Sequence, residues 1–148
     1  MDKSQAKCVA VIQCSVSHER CPGMRCAGAF AGRKDYFAGY GPGAAYYVPF
    51  GCGGCPGRRV GRLLAILKKS MKRDYGVEAD EIVVHLATCV VADNGHYAPC
   101  PHLKDIKTII ARKALHFVEG SLAPKTPGLA KKREAGLYAP LPPLDNLT

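Results

Sequence analysis

Four short apolar runs mark the first 120 residues of the chain. They are KCVAVIQC at 7–14, AYYVPF at 45–50, EIVVHLAT at 81–88 and HFVE at 116–119. Unbroken apolar runs, unlike alternating ones, are typical of parallel strands that are covered on both faces. We therefore predict four strands over these runs, the second of them weakened by Pro49.

Stretches with helical periodicity separate these runs. From Pro56 to Tyr75, apolar residues line one face of a helix and arginines and lysines fill the other. The apolar positions are Val60, Leu63, Leu64, Leu67 and Met71. A weaker pattern runs from Pro101 to Leu115, and a third from Pro22 to about Phe37. This alternation predicts one α/β domain with a short, mostly parallel sheet flanked by helices.

The composition changes after Gly120. Residues 121–148 are rich in proline, have no clear period and carry scattered leucines, which is typical of an extended segment. We therefore predict a domain over residues 1–120 and an extended C-terminal tail over 121–148. The leucines would be buried either on the same chain or against a second copy, which would make a homodimer.

Length and charge narrow the class of protein. A chain of 148 residues can bury enough apolar surface to fold without disulfides. No signal peptide is visible and every apolar stretch is too short to span a bilayer, so we expect a cytoplasmic protein. The net charge of +9 lies partly in LKKSMKR at 67–73 and KKRE at 131–134. Because no nucleic-acid motif accompanies it, we interpret this charge as a solvated helix face.

Eight cysteines carry the candidate chemistry. In a reducing compartment, clustered cysteines indicate metal or redox chemistry more often than structural disulfides. Cys14, Cys52 and Cys89 each lie at or just past the end of a predicted strand, and the carboxyl edge of a parallel sheet is where ligands bind. Cys8 begins the first strand, and we predict that it is a small buried hydrophobic residue.

Three more cysteines precede prolines at the predicted helix starts, in Cys21-Pro22, Cys55-Pro56 and Cys100-Pro101. Proline is favoured at the first helical position, which predicts each cysteine at or near an N-cap, where the positive helix end lowers a thiol pKa. Helix starts and strand ends share one edge of a parallel α/β sheet, so both signals converge there. With Cys26 and His102 close in sequence, the predicted metal ligands are Cys14, Cys21, Cys26, Cys52, Cys55, Cys89, Cys100 and His102.

The other histidines are weaker candidates. His85 lies in the middle of the third predicted strand, and we predict that it is a core histidine with satisfied hydrogen bonds. His18, His96 and His116 are predicted to be surface residues, with His18 and His96 flanking the proposed site.

The stretch FGCGGCPGRR at 50–59 is compatible with three chemistries. A CxxC pair supplies two ligands of a zinc site, and thiolate-rich sites also hold iron–sulfur clusters. A strand, a CxxC pair and a helix are also the layout of a thiol–disulfide oxidoreductase, here with Cys52 and Cys55. Finally, Cys52 and Arg58 have the C-x5-R spacing of cysteine phosphatases and some arsenate reductases, in which the loop binds an oxyanion.

Several of these blocks together resemble the CGGC domain family. They are the strand-ending Cys14, CPGMRC at 21–26, CGGCPG at 52–57, VVHLATC at 83–89 and CPH at 100–102. The resemblance covers about residues 7–120 and implies metal ligation by the matched cysteines. It implies no particular reaction. We accordingly predict a bound zinc ion or iron–sulfur cluster, with a redox or regulatory role open.

Overall fold

The computed structural model describes residues 2–92 and 99–123. Four strands form its sheet: β1 (Cys8–Gln13), β2 (Tyr46–Gly51), β3 (Ile82–Leu86) and β4 (His116–Glu119). Their order is β2-β1-β3-β4, and all three neighbouring pairs are parallel. The predicted four-stranded parallel sheet is confirmed, with strand bounds close to the apolar runs.

Burial follows the position of each strand in the sheet. The central strands β1 and β3 are buried at every residue, as their unbroken apolar runs predict. The edge strands β2 and β4 are mostly half-buried or exposed. Pro49 is tolerated in β2 because an edge strand has an unpaired side on which a missing N–H group costs no ladder bond.

Four helices cover the sheet: α1 (Met24–Ala31), α2 (Val60–Tyr75), the short α3 (Thr88–Val91) and α4 (Leu103–Arg112). Alternate residues of β1 face two separate hydrophobic clusters, one shared with α2 and α4 and the other with α1. Helices on both faces and a strand order that reverses at β1 make this a doubly wound sheet. In the described ranges, no helix combines the length and apolar character needed to cross a membrane.

Helix α2 is shorter at its start than the sequence pattern predicts. It begins at Val60 rather than Pro56, because Gly57 has a φ of 97°, which no α-helix accommodates. Its end is as predicted. Gly76 takes the left-handed conformation after Tyr75, and its N–H bonds to the Lys72 carbonyl, a common C-terminal cap.

Helices α1 and α4 are also shorter than predicted. Helix α1 ends at Ala31 and not near Phe37, because Arg33 and Asp35 have φ values of 51° and 55°. Helix α4 ends at Arg112, followed by Ala114 at a φ of 55°. Local backbone reversals of this kind leave no mark in hydrophobic periodicity, which explains why the predicted bounds were too wide.

His85 is a core histidine, as predicted. It is fully buried in β3; the Tyr40 hydroxyl lies 2.6 Å from its Nε2 and the Gly120 carbonyl 2.8 Å from its Nδ1. Both ring nitrogens are therefore satisfied. His18 and His116 are exposed, as predicted, and His96 lies outside the described residues.

The chain remains part of the domain as far as the described C-terminal residues. Ser121 is buried, and the Thr88 hydroxyl accepts the N–H groups of Ser121 at 3.1 Å and of Leu122 at 2.8 Å. These bonds attach the segment after β4 to the loop after β3. Most of the predicted tail, residues 124–148, and with it the predicted dimer arm, lies outside the described residues.

Candidate thiol site

Three strand-end cysteines meet at the carboxyl edge of the sheet. The β1–β2 pairing ends at Gln13 and Gly51, and the Cys52 N–H continues it by donating to the Gln13 carbonyl at 2.8 Å. Cys14 and Cys52 are therefore adjacent across two neighbouring strands. On the other side, the Cys14 N–H donates to the sulfur of Cys89 at 3.3 Å. The three strand ends therefore lie together at this edge.

Cys14 and Cys52 influence each other's ionisation. The interaction between the two side chains lowers the pKa of Cys52 and raises that of Cys14. A thiolate is therefore favoured on Cys52, whereas the Cys14 proton is strongly held, since a second thiolate next to the first is repelled by it. The pair thus favours one anion, on Cys52.

The loop after β1 and the CGGC loop stabilise this anion. The Ser15 N–H donates to the Cys52 sulfur at 3.4 Å, and contacts from the Gly54 N–H and the Ser15 hydroxyl lower the pKa of Cys52 further. On the Cys14 side, the N–H groups of Val16 and Ser17 act in the same direction on the Cys14 pKa. Hydrogen bonds to the charged form favour it, so both sulfurs lie in surroundings suited to a thiolate.

The two central glycines of CGGC let the chain turn back on Cys52. Gly53 and Gly54 have φ values of 83° and 94°, in the left-handed region that glycine enters at little cost. A Cβ at Gly53 would lie 2.7 Å from the Arg59 side chain. The Gly53 N–H also donates to the Ser15 hydroxyl at 2.8 Å. The glycines therefore fold the loop against the loop after β1.

A second group of thiols surrounds a cavity of about 250 Å³ beside α1. Cys21, Cys26 and Cys89 line it. The Cys26 thiol donates to the Ser121 hydroxyl at 3.3 Å. Burial raises the pKa of Cys26 and raises that of Cys89 to about 11. These two thiols are therefore protonated at neutral pH.

The Cys-Pro cysteines lie close to the helix starts but do not occupy the N-caps. The N-cap residues of α1, α2 and α4 are Gly23, Arg59 and His102, two to four residues later. Each proline lies in the turn before its helix, and not at the first helical position. Two sulfurs still accept a nearby backbone N–H, Cys21 from Gly23 and Cys100 from His102, both at 3.4 Å.

Cys55 and Cys100 lie at the margin of the pair. Cys55 is exposed and Cys100 is half-buried. Burial raises the pKa of Cys100 despite the bond from His102, and the charges of Cys55 and Cys52 raise it further. The predicted lowering of the Cys100 pKa is therefore wrong. His102 meets Cys100 through its backbone, at the start of α4.

Within residues 2–92 and 99–123, no three His, Cys, Asp or Glu side chains converge closely enough to hold a metal ion. The thiols divide between two sides of the β1 end. Cys14, Cys52 and Cys100 pack with the α2 and α4 cluster, whereas Cys21 and Cys26 line the cavity beside α1. The donor chemistry suits zinc or an iron–sulfur cluster, but no three of these sulfurs converge within the described ranges.

The structure also bears on the other two interpretations of CGGC. The partner of Cys52 is Cys14, whereas Cys55 is exposed at the turn of the loop. Arg58 is exposed, and its Nε donates to the Cys55 carbonyl at 3.2 Å. The Arg58 side chain therefore bonds to its own loop in this structure.

Sequence reasoning missed two features of the loop after β1. The first is the role of Ser15 and Ser17, which lower the pKa values of Cys52 and Cys14, respectively, against the effect of burial. The second is a C-x5-R spacing from Cys14 to Arg20, directly after the first strand. The segment CSVSHER at 14–20 contains both signals.

Comparison with known proteins places these residues in a family. The family model described as the CGGC domain matches residues 8–122, which include all eight cysteines and the cavity lining. No curated protein and no solved structure shows significant similarity to the chain. Since the matched region is well over half of the 148 residues, the chain belongs to the CGGC domain family.

Proposed function

We propose that this protein binds a metal through thiolates, with the Cys14–Cys52 pair as the nucleus of the site. The observation that supports it is the adjacency of these two cysteines at the ends of β1 and β2, with backbone N–H groups directed at their sulfurs. The thiolate, and not the thiol, is the form of cysteine that binds a metal ion. The lowered pKa of Cys52 favours one thiolate even in the metal-free protein. A reducing cytoplasm would keep the eight free thiols available.

Cys55 and Cys100 are the natural candidates to complete the site. The charges of Cys55 and Cys52 both raise the pKa of Cys100, so these two sulfurs lie within electrostatic reach of Cys100. Together with Cys14 and Cys52 they would make four thiolates, the number that a closed zinc site or an iron–sulfur cluster needs. Zinc would neutralise the gathered thiolates, and a cluster would add electron transfer. Metal binding by Cys21, Cys26, Cys89 and His102 stays a prediction.

Metal analysis combined with absorption spectroscopy tests the proposal on full-length protein purified without oxygen. Stoichiometric zinc without a visible absorption band would identify a zinc site. Stoichiometric iron and sulfide with broad visible absorption would identify a cluster. Protein that carries no metal, and takes up none when reduced and offered zinc or iron with sulfide, would overturn the proposal.

Thiol–disulfide exchange is a second candidate function, and a specific observation favours it. Neighbouring strands lie about 4.8 Å apart, and a disulfide requires Cα atoms about 4.4–6.8 Å apart. Cys14 and Cys52 directly follow the last paired residues, Gln13 and Gly51, and their side chains influence each other's pKa. The dithiol would therefore be Cys14 with Cys52, and not the predicted Cys52 with Cys55.

We expect glutathione disulfide to convert this pair to a disulfide. The Cys52 thiolate attacks one sulfur of the oxidant and releases a glutathione thiolate. The Cys14 thiol then loses its proton and displaces the second glutathione, which forms the Cys14–Cys52 bond. Peptide mapping of metal-free protein without reduction would show the two cysteine peptides linked. The Cys55→Ser variant should behave identically, and a Cys52–Cys55 linkage would contradict this assignment.

A further inference from the structure

The cavity beside α1 lies at the point where the strand order of the sheet reverses. Its walls come from the end of β1 and the following loop, including Gln13 and Ser17, and from Thr88 and Cys89 after β3. Strand β2, which follows β1 in the chain, pairs with one edge of β1, and β3 pairs with the other edge. In doubly wound sheets this crevice is the usual place for a ligand. The Cys14–Cys52 pair does not line it.

The lining of the cavity is basic. Its described residues include His18, Arg20 and Arg25 but no Asp or Glu. Arg25 lies at the start of α1, next to Cys26, which lines the same cavity. Arg20 also makes another interaction, and its positive charge lies in the cavity wall together with that contact.

The start of α1 forms another part of the wall. Gly23, Met24 and Arg25 line the cavity, and α1 has neither an acidic residue in its first turn nor a side chain that caps it. The first N–H groups of an α-helix have no partner within the helix. They therefore present positive partial charge to this space, which favours an anion.

A buried hydroxyl in the same wall lacks a partner. Ser17 is 1% exposed and lines the cavity, and its Oγ has no hydrogen-bond partner among the described residues. It does influence the pKa of the Cys14 thiol nearby, but sulfur is a weak acceptor. A buried hydroxyl is normally satisfied by protein, water or a ligand, and an oxyanion would accept its proton.

We propose that this cavity binds the phosphate group of a small molecule or free phosphate, between the start of α1, Ser17 and the two arginines. The segment from Cys14 to Arg20 has the C-x5-R spacing of oxyanion-binding loops. Here Cys14 lies beside Cys52 and does not line the cavity. The loop thus supplies an arginine and a hydroxyl for binding, without a nucleophile at the ligand.

Titration of full-length, reduced, metal-free protein with inorganic phosphate tests the proposal, with chloride at equal ionic strength as the reference. We expect saturable binding by calorimetry, and a melting temperature that rises with phosphate concentration. Binding should weaken about 10-fold in Ser17→Ala and in Arg25→Ala, because each removes a charge-assisted interaction. The exposed Arg62→Ala on α2 is the matched control and should bind like the wild type.

Two further readouts separate binding from folding. Without phosphate, Ser17→Ala should be at least as stable as the wild type, because the lost hydroxyl has no partner to lose. Phosphate should also slow alkylation of Cys21, which lines the cavity, and leave Cys55 unaffected. Tighter binding of a phosphate monoester than of inorganic phosphate would identify the larger ligand as the source.

Absence of saturation, or equal phosphate affinity in Ser17→Ala, Arg25→Ala and the wild type, would overturn the proposal. An effect that chloride reproduces at the same ionic strength would do so as well. Because the protein is metal-free in every arm, neither result touches the metal-binding proposal, and failure to bind metal leaves this inference intact.

Discussion

Replacing Cys52 with serine is expected to abolish stoichiometric metal binding. Serine fits the space and accepts the N–H groups of Ser15 and Gly54, but it is not ionised at neutral pH and so offers no thiolate. We expect the metal affinity to fall at least about 100-fold, beyond the loss seen when outer partners of a metal ligand are removed. Competition with a chromophoric chelator, on variants reconstituted in parallel, would measure the change.

The controls for this variant come from the same set of eight cysteines. Cys14→Ser should lose as much affinity as Cys52→Ser, because the two sulfurs act as one unit. Cys8→Ala is the negative control, since Cys8 is fully buried at the start of β1, away from the carboxyl edge. If Cys52→Ser binds metal like the wild type, or Cys8→Ala loses it equally, the pair is not the nucleus of the site.

A large loss of stability is expected as the pH falls from 6.5 to 4, because His85 must then carry a charge in the core. Burial lowers its pKa from 6.5 to about 4 in the folded protein. Between these values the unfolded chain binds more protons than the folded one, so stability rises with pH through this window. The stabilisation is fully present above pH 6.5 and is lost as the pH falls to about 4. The difference amounts to about 3 kcal/mol in the free energy of unfolding.

Urea unfolding of the wild type and of His85→Gln, at several pH values across this window, tests the prediction. Glutamine can bond to both Tyr40 and the Gly120 carbonyl but does not titrate. Over the same pH range, the free energy of unfolding of His85→Gln should therefore change by about 3 kcal/mol less than that of the wild type. Equal slopes in the two proteins would show that His85 does not control the acid sensitivity.

The loop after β1 connects both proposals. Its Ser15 and the backbone of Val16 and Ser17 act on the thiol pair, whereas the Ser17 side chain and Arg20 line the cavity on the other side. A ligand bound in the cavity would therefore contact a segment that also touches Cys14. The two sites remain separable by experiment, because each has its own variants and its own ligand.

The strands and the general position of the cysteines followed from the sequence alone. Unbroken apolar runs identified β1 and β3, because a central parallel strand is buried on both faces and needs apolar residues at every position. The cysteines that end these runs had to reach the carboxyl edge, because parallel strands all end there. The single apolar face of α2 likewise predicted which residues are buried, such as Leu64 and Met71.

Only the tertiary structure decided which sulfurs meet. Cys52 pairs with Cys14, 38 residues earlier, because the register of β1 with β2 ends at Gln13 and Gly51. Its neighbour in sequence, Cys55, turns outward, since Gly53 and Gly54 reverse the backbone. Register and loop conformation depend on contacts between segments distant in the chain, and the spacing of residues in a motif does not record them. The same holds for the cavity, whose walls come from three separate parts of the sequence.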